Sequence, residues 1–272
     1  MRGRLSADFV PYVALAALAG LLIGSFLNVC IYRIPRDLSV VTPRSFCPEC
    51  GRAIAWYDNI PLFSFLLLRG RCRACGQSIP LSYPLVELST SVLFAFVAYE
   101  YGWTPAALKW FLFEAILVAL FWIDLEERIL PNELTLGGIA VGLIFAFFIA
   151  VPSAAGELLL PDAKPAFKSL LSAAVASVVL VAPIWVLGKA YSWIRKRDAL
   201  GGGDVKLLLL LSVFLGLERG LFATLVGALG GTFIGGGYML ATRRDPATYQ
   251  LPFGTFLCAG ASLAPLLTRW IP

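Results

Sequence analysis

Long apolar segments follow one another along almost the whole chain, separated by short polar connections and one longer polar loop. A transmembrane α-helix needs about 20 predominantly apolar residues, and most of these segments come close to that length. Hydrophobic residues make up 59% of the chain and charged residues 14%, whereas soluble domains contain about 25% charged residues. We therefore predict an all-α polytopic membrane protein that contacts the lipid bilayer through about eight transmembrane helices. Their expected ranges are 9–31, 84–101, 106–123, 134–151, 169–189, 205–218, 220–241 and 252–271.

Two aspartates, Asp124 and Asp204, lie at the ends of apolar segments, where a carboxylate is costly unless it has a function. The segment after Asp204, 205–218, covers only about 21 Å at about 1.5 Å per residue, so this aspartate is expected within the bilayer boundary. Two converging carboxylates can share one proton and act as an acid–base pair on a peptide bond. Gly201 and Gly203 leave room for a substrate backbone to approach the second carboxylate. These four residues predict an intramembrane aspartic protease with Asp124 and Asp204 as its catalytic groups.

Each aspartate also has a purely structural explanation. Asp204 directly precedes an apolar helical segment, where aspartate is a favoured N-cap and interacts well with the helix dipole. Asp124, next to Glu126, Glu127 and Arg128, can be an interfacial acid at a helix end. Pro131-Asn132 predicts a sharp break in the chain soon after this aspartate. Two other classes of protein stay open on the residues alone: a transporter whose intramembrane acids carry protons or cations, and a membrane scaffold whose polar loop binds a partner.

The composition excludes several catalytic mechanisms. The chain contains no histidine, which rules out Ser-His-Asp and Cys-His catalysis, HExxH zinc sites and His-ligated metals. General acid–base chemistry therefore falls to Asp, Glu, Lys, Tyr or Cys. The net charge of +5 is modest and gives no reason to expect a nucleic-acid partner.

The distribution of basic residues predicts the orientation in the membrane. Eight spans place both termini on the same side. When the polar loop 32–83 is assigned to the cytoplasm, the connections on that side hold fifteen of the 22 lysines and arginines, as the positive-inside rule favours. Arg2 and Arg4 argue for the opposite orientation but are outnumbered. Asp124 and Asp204 are then both expected on the cytoplasmic side.

The polar loop contains two CxxC pairs, Cys47-Pro-Glu-Cys50 and Cys72-Arg-Ala-Cys75, separated by 21 residues. Paired CxxC turns place four thiolates tetrahedrally around one zinc ion, and Gly51 and Gly76 supply the flexibility that each turn requires. The alternative is a redox role, but a cytoplasmic loop is kept reduced. A loop of this size has too little core to fold by itself, and a metal would compensate. We predict a structural zinc bound by Cys47, Cys50, Cys72 and Cys75.

Several motifs resemble those of a known family. Gly201-x-Gly-Asp204 followed by Lys206 resembles the signature of the GxGD intramembrane aspartic proteases. Further motifs resemble one branch of these, the type IV prepilin peptidases, which are bifunctional leader peptidases and N-methyltransferases. Ser82 departs from that pattern, because the family often has arginine there. The further motifs are Gly24-Ser-Phe-Leu-Asn28, Arg33-x-Pro35, Asp58-Asn-Ile-Pro61, Leu68-Arg-Gly-Arg-Cys72, Tyr83-Pro-Leu-Val-Glu87 and Leu251-Pro-Phe-Gly254.

The resemblance implies a domain organisation, a substrate and a second activity. Residues 1–31 would form the first transmembrane helix, 32–83 a cytoplasmic zinc loop associated with the methyltransferase, and 84–272 the membrane peptidase domain. The substrates would be precursors of type IV pilins or type II secretion pseudopilins, cleaved after a glycine at the cytoplasmic face of the bacterial inner membrane. Methylation of the new N-terminus would use S-adenosylmethionine.

The sequence itself does not identify a site for the methyl donor. A Rossmann-type methyltransferase has a glycine-rich turn between a strand and a helix, and no such unit is present in the sequence. The donor-binding residues and the oligomeric state are therefore left unassigned. A preflagellin-type peptidase would share the two aspartates but would not need the four cysteines.

Overall fold

A computed structural model describes residues 9–149, 154–195, 201–243 and 251–267. These residues form helices joined by turns, without any strand; two isolated β-bridges, Phe46 with Ala53 and Arg71 with Ser78, are the extended pairings found there. The expectation of an all-α chain is therefore confirmed. The chain divides into two compact units, Met1–Ile123 and Asp124–Pro272.

The first unit consists of membrane-length helices and the cysteine-containing loop. Its helices are α1 (Phe9–Arg33), α2 (Phe63–Leu67), α3 (Ser82–Tyr101) and the greater part of α4 (Pro105–Glu127). Two 3-10 turns, Ile34–Arg36 and Trp56–Asn59, lie in the loop between α1 and α2.

The second unit begins within the last turn of α4. It contains α5 (Asn132–Phe148), α6 (Ala154–Leu159), α7 (Pro165–Arg195), α8 (Gly202–Gly230), α9 (Gly236–Ala241) and α10 (Phe253–Leu263). A π-helical turn, Gly231–Gly235, joins α8 to α9, and a 3-10 turn, Ala264–Leu267, follows α10.

Glycines allow pairs of helices to pack closely within each unit. An added Cβ at Gly20 of α1 would lie 2.7 Å from Ser91 Cα of α3, and one at Gly227 of α8 would lie 2.9 Å from Leu257 Cα of α10. Contacts this short exclude any side chain, as is common where helix backbones approach each other in membranes. Both helix pairs therefore depend on glycine at these positions.

The expected count of eight spans is not confirmed. Among the described residues, five helices are long and apolar enough to cross a membrane, and two further apolar helices, Asn132–Phe148 and Phe253–Leu263, are shorter. The last expected span, 252–271, extends beyond the described residues. The five long helices are Val10–Arg36, Ser82–Tyr101, Pro105–Glu127, Pro165–Ile194 and Gly202–Ala241.

The expected sixth and seventh spans, 205–218 and 220–241, correspond to two helical segments that meet at a kink. Glu218 and Arg219 interrupt the apolar sequence, but charged side chains do not interrupt the backbone hydrogen bonds of a helix. The chain kinks instead at Gly216, with φ 73° and ψ −168°. Because this conformation is essentially restricted to glycine, the kink lies at the glycine and not at the charged pair.

Candidate active site and metal centre

Asp124 lies in the last turn of α4, and only 5% of its surface is exposed. The helix ends just beyond it, where Arg128 has a left-handed φ of 57° and Pro131 precedes α5. Proline disfavours helical conformation in the residue before it, so the local sequence ends α4 one turn after the aspartate. The break that Pro131-Asn132 predicts is therefore present.

The Asp124 carboxylate caps the N-terminus of α10. Its Oδ2 accepts hydrogen bonds from the Thr255 backbone N–H at 2.6 Å and from the Thr255 hydroxyl at 2.9 Å. The N-cap residue of α10 is Pro252, which provides no side-chain acceptor. The first N–H groups of a helix need acceptors and attract negative charge, so Asp124 supplies from a distant segment what the local sequence lacks.

Asp204 lies in the first turn of α8, with Gly201 as the N-cap residue of that helix. Its backbone N–H donates to the Gly201 carbonyl at 3.1 Å, and its side chain is half-buried. The carboxylates of Asp204 and Asp124 are close enough for their negative charges to repel each other. Two acids separated by 80 positions along the chain are thus brought together within the second unit.

Leu130, in the connection between α4 and α5, packs against the starts of α8 and α10. An added Cβ at Gly203 would lie 3.1 Å from Leu130 Cβ, and one at Gly254 would lie 3.1 Å from Leu130 Cδ1 and 3.0 Å from Asp124 Oδ2. A neighbour at such distances has to shift if the glycine gains a side chain. Gly203 and Gly254 therefore let Leu130 and Asp124 approach the starts of α8 and α10.

Gly201 and Gly203 differ in their surroundings. The nearest atom to an added Cβ at Gly201 is Asp204 Oδ2 at 3.4 Å, an ordinary contact, and Gly201 is exposed. Gly203 is glycine because Leu130 packs against it. The role of both glycines in substrate approach stays a prediction. At Gly203 the packing of Leu130 is a second reason for glycine, whereas at Gly201 no close packing requires it.

Lys206 is anchored at the start of α8. Its Nζ donates to Asn132 Oδ1 at 2.6 Å, joining the first turns of α5 and α8. Sequence reasoning identified Lys206 but not this partner. It also missed Thr255 and Leu130, although Thr255 directly follows the motif that ends at Gly254.

The four loop cysteines form one cluster in the first unit. Their Sγ atoms all lie within 4.8 Å of one another, and Cys47 Sγ is 3.9 Å from Cys75 Sγ. A tetrahedral zinc with Zn–S bonds of about 2.3 Å holds its sulfur atoms about 3.8 Å apart. The predicted clustering is therefore confirmed, and four thiols at this spacing fit a zinc ion.

The two cysteine turns have the same backbone structure. In the first, Gly51 N–H donates to the Cys47 carbonyl and Cys47 N–H to the Arg52 carbonyl. In the second, Gly76 N–H donates to Cys72 and Cys72 N–H to Gln77, all four bonds being 2.8–2.9 Å long. Gly51 and Gly76 have φ of 67° and 73°, so each turn needs glycine directly after its second cysteine.

The electrostatics of the cluster favour a thiolate at one position and oppose it at another. Backbone N–H groups of Cys75 and Ala74 lower the pKa of Cys72 to about 7. The Gln77 backbone N–H acts to lower the pKa of Cys75, but burial and the neighbouring thiols outweigh it and raise this pKa to about 11. Four thiolates this close repel one another, and a bound cation would remove that repulsion.

Comparison with known proteins identifies the family. The family model for the bacterial peptidase A24 N-terminal domain matches residues 18–101, and the model for the type IV leader peptidase family matches residues 111–236. Asp124 and Asp204 lie in the second matched segment and the four cysteines in the first. No solved structure is significantly similar to the chain.

Curated relatives agree with these matches. A prepilin leader peptidase/N-methyltransferase of Aeromonas hydrophila is 35% identical over 95% of this chain and 93% of its own length. A protein of the same name from Myxococcus xanthus is 40% identical over 83% of this chain and 62% of its own length. Another from Neisseria gonorrhoeae is 35% identical over 76% of this chain and 75% of its own length. The chain belongs to the prepilin leader peptidase/N-methyltransferase family. Membership favours the peptidase prediction over the transporter and scaffold alternatives.

Proposed function

We propose that this protein is an aspartic endopeptidase of the bacterial inner membrane that removes the leader of type IV prepilins or type II secretion pseudopilins, with its active site facing the cytoplasm. We propose further that it methylates the N-terminus which this cleavage exposes. The observation that carries the proposal is the convergence of Asp124 and Asp204 at the ends of two apolar helices, in a chain whose relatives are named prepilin leader peptidase/N-methyltransferase.

The hydrogen bonds around the aspartates support different roles for them. Asp124 accepts two hydrogen bonds at the N-terminus of α10, a setting that stabilises an ionised carboxylate. Two negative charges close together are unfavourable, so the second acid holds a proton. Asp124 is then the base and Asp204 the acid.

Peptide hydrolysis by this pair follows general acid–base chemistry. Asp124 takes a proton from water as the water oxygen bonds to the scissile carbonyl carbon, and Asp204 gives its proton to the carbonyl oxygen. In the second step the C–N bond breaks, Asp124 gives its proton to the leaving nitrogen, and the hydroxyl proton returns to Asp204. One water is consumed and both carboxyl groups end in their starting states.

The positions of the two aspartates along their helices support cleavage at a membrane face. Asp124 follows the apolar part of α4 and Asp204 precedes the apolar part of α8, so both carboxyl groups lie at helix ends. The positive-inside rule assigns these ends to the cytoplasm. A precursor with a basic leader would present its scissile bond there.

The four cysteines would hold a zinc ion with a structural role. Four thiolates complete a tetrahedral coordination sphere and leave no open position for water or substrate. The zinc would join the two cysteine turns across 21 intervening residues.

Methylation would follow cleavage. S-adenosylmethionine, when bound, supplies a methyl group: the lone pair of the neutral amine bonds to the methyl carbon, the C–S electron pair returns to sulfur, and the methylated amine releases one proton to solvent. The experiment that tests both activities incubates the protein with a membrane-inserted prepilin and S-adenosylmethionine. Mass spectrometry should find a product cut after a glycine and heavier by one CH₂ group; absence of any cut by folded, zinc-loaded protein would refute the proposal.

Gly201→Ala tests the approach of substrate to Asp204. The added methyl group makes only an ordinary contact within the chain. Alanine is less favourable than glycine at a helix N-cap, so the melting temperature should fall by only a few degrees. A substrate backbone lying against Asp204 would be displaced by about 1 Å, which costs about 10²-fold in kcat/KM. The measurement is steady-state cleavage of prepilin beside thermal unfolding, with Gly202→Ala, whose added Cβ meets no atom within 4 Å, as the control. Equal kcat/KM in Gly201→Ala and the control would remove Gly201 from the site.

Thr255→Val tests the positioning of Asp124. Valine keeps the backbone N–H that binds Asp124 Oδ2 but removes the hydroxyl donor. We expect kcat to fall about tenfold, the value of one hydrogen bond to a charged group, with little change in KM. Thr255→Ser should restore kcat because it keeps the hydroxyl. Thr224→Val, which removes a comparable hydroxyl bond within α8, is the control, and an equal loss in both variants would show a general stability effect.

A further inference from the structure

The short helix α2, in the cysteine-containing loop, exposes large apolar side chains. Phe63 is 59% exposed, Leu66 73% and Leu67 64%, although the loop around them has almost no buried core. Single apolar residues on a surface are ordinary, but several grouped on one element indicate a binding surface. Neither activity proposed above makes use of these three side chains, which are called the α2 face below.

The opposite side of α2 is packed inside the first unit. Ser64 is buried, and its hydroxyl donates to the Tyr57 carbonyl at 2.7 Å. The Phe65 ring packs against Gly70, where an added Cβ would lie 3.0 Å from the ring. Ser64 and Phe65 therefore attach the helix to the rest of the loop, and the α2 face is not needed for that attachment. Because apolar surface gains free energy when it leaves water, the α2 face favours a partner outside the chain.

A hydrogen bond places α2 at the level of the membrane boundary. Helix α3 has 20 residues and is about 30 Å long at about 1.5 Å per residue, which matches the thickness of about 30 Å of the hydrocarbon core. Its first turns therefore lie where hydrocarbon meets the lipid headgroups. The backbone N–H of Leu62, the residue directly before α2, donates to Glu87 Oε2 in the second turn of α3 at 2.8 Å. Helix α2 thus begins beside this boundary.

Two arginines follow the α2 face in the sequence. Arg69 and Arg71 are exposed, and neither forms an ion pair with any residue that the structure describes. The next arginine, Arg73, is instead paired with Asp58 at 2.7 Å. Anionic lipids give the cytoplasmic leaflet a negative surface potential that attracts lysine and arginine. An apolar surface next to basic residues is typical of segments that lie in the membrane interface.

We propose that the α2 face inserts into the cytoplasmic leaflet of the bilayer, and that Arg69 and Arg71 bind the headgroups of anionic phospholipids. The partner is a lipid surface and not a protein, because α2 begins at the membrane boundary and its loop is joined at both ends to membrane-length helices, α1 and α3. The proposal rests on the orientation in the membrane proposed above and on neither enzymatic activity.

Membrane contact by α2 would also fix the second cysteine turn, Cys72–Gly76. The segment between them is held by two backbone hydrogen bonds, from Gly70 N–H to the Phe65 carbonyl at 2.8 Å and from Ile79 N–H to the Gly70 carbonyl at 2.7 Å. Helix α2 and the cysteine turn are therefore joined through Gly70. A lipid-bound α2 would keep this part of the loop at the membrane surface.

The test is photo-crosslinking of the full-length protein in vesicles of phosphatidylglycerol and phosphatidylcholine. Benzoylphenylalanine crosslinks to neighbouring C–H bonds on illumination, and Phe63→benzoylphenylalanine places it on the α2 face. The same change at Phe65, on the inward side of the same helix, is the matched control. The change at Phe26, an exposed residue of the membrane-length helix α1, is the positive control. Mass spectrometry should find phospholipid adducts on the Phe63 and Phe26 variants and none on the Phe65 variant, and melting temperatures check that each variant is folded.

The arginines are tested by Arg69→Gln with Arg71→Gln in the Phe63 variant. The yield of lipid adduct should fall about fivefold or more, because one arginine near an anionic surface strengthens binding about fivefold. Vesicles of phosphatidylcholine alone should lower the yield similarly while both arginines are present. Equal yields in the two kinds of vesicle would refute the role of the arginines.

The identity of the adduct decides between partners. Lipid on the Phe63 variant, with none on the Phe65 variant, supports the proposal. A crosslink from the Phe63 variant to a second copy of the chain, or to prepilin added to the vesicles, assigns the α2 face to a protein interface and overturns the proposal. If the Phe26 variant gives a lipid adduct and the Phe63 variant gives no adduct, the α2 face lies in water and the proposal fails. Each outcome leaves the peptidase and methyltransferase proposals untouched, because crosslinking requires neither activity.

Discussion

Asp124→Asn and Asp204→Asn should each lower the rate of prepilin cleavage by about 10³-fold or more, because each removes one half of an acid–base pair. Asparagine has nearly the same shape as aspartate. Its side-chain carbonyl can still accept the N–H and O–H of Thr255, so α10 should keep its cap. The measurement is single-turnover cleavage of a membrane-inserted prepilin in vesicles, with the product identified by mass.

The double variant is the sharper test of a pair. Residues that act as one unit have strongly non-additive effects, so Asp124→Asn with Asp204→Asn should be no slower than the slower single variant. Glu126→Gln is the matched control, because Glu126 lies two residues from Asp124 and is exposed. Full activity in Asp124→Asn would reduce that residue to a structural cap of α10, and multiplied losses in the double variant would mean that the acids act separately.

Local sequence predicted the parts of the site that depend on neighbouring residues. The CxxC spacing with its following glycines predicted two equivalent turns, and the structure has them at Cys47–Gly51 and Cys72–Gly76. Pro131 predicted the end of α4 close to Asp124. These predictions are confirmed because tight turns and helix ends are determined by a few consecutive residues.

Contacts between segments that are far apart in the sequence could not be predicted from local sequence patterns. Thr255 lies 131 positions from Asp124, and no periodicity or spacing connects them. Pro252 at the N-cap of α10 was the available signal, because a helix start without its own side-chain acceptor needs one from elsewhere. A cavity of about 620 Å³ in the first unit likewise forms from segments between Ser25 and Glu87 that meet only in the folded protein.

The expected division into spans at Glu218 and Arg219 is not confirmed, for a related reason. Hydropathy divides 205–241 at Glu218 and Arg219, because charged residues lower the local average. The backbone instead changes direction at Gly216, where the conformation is open only to glycine. Whether a helix crosses the membrane depends on its whole length and on its kinks. Hydropathy alone does not locate the kinks.

The cysteine loop should depend on zinc for its structure. Between residues 34 and 83, all of which the structure describes, only Cys47 and Ser64 are buried, so the loop has almost no apolar core. Structural zinc sites contribute about 10–16 kcal/mol of binding free energy in small zinc-finger peptides. A loop with so little buried surface has no other comparable source of stability.

Removing zinc with a chelator, or changing Cys72 to Ser, should therefore open the loop. Trypsin should then cut at Arg52 and Arg69 at least about tenfold faster. Metal analysis should find one zinc ion per chain in the wild type and in Cys30→Ala, which changes a cysteine of α1 outside the cluster. Slow proteolysis of the zinc-free protein would show that the loop folds without metal. An intact mass lower by two or four hydrogens would assign the cysteines to disulfides instead.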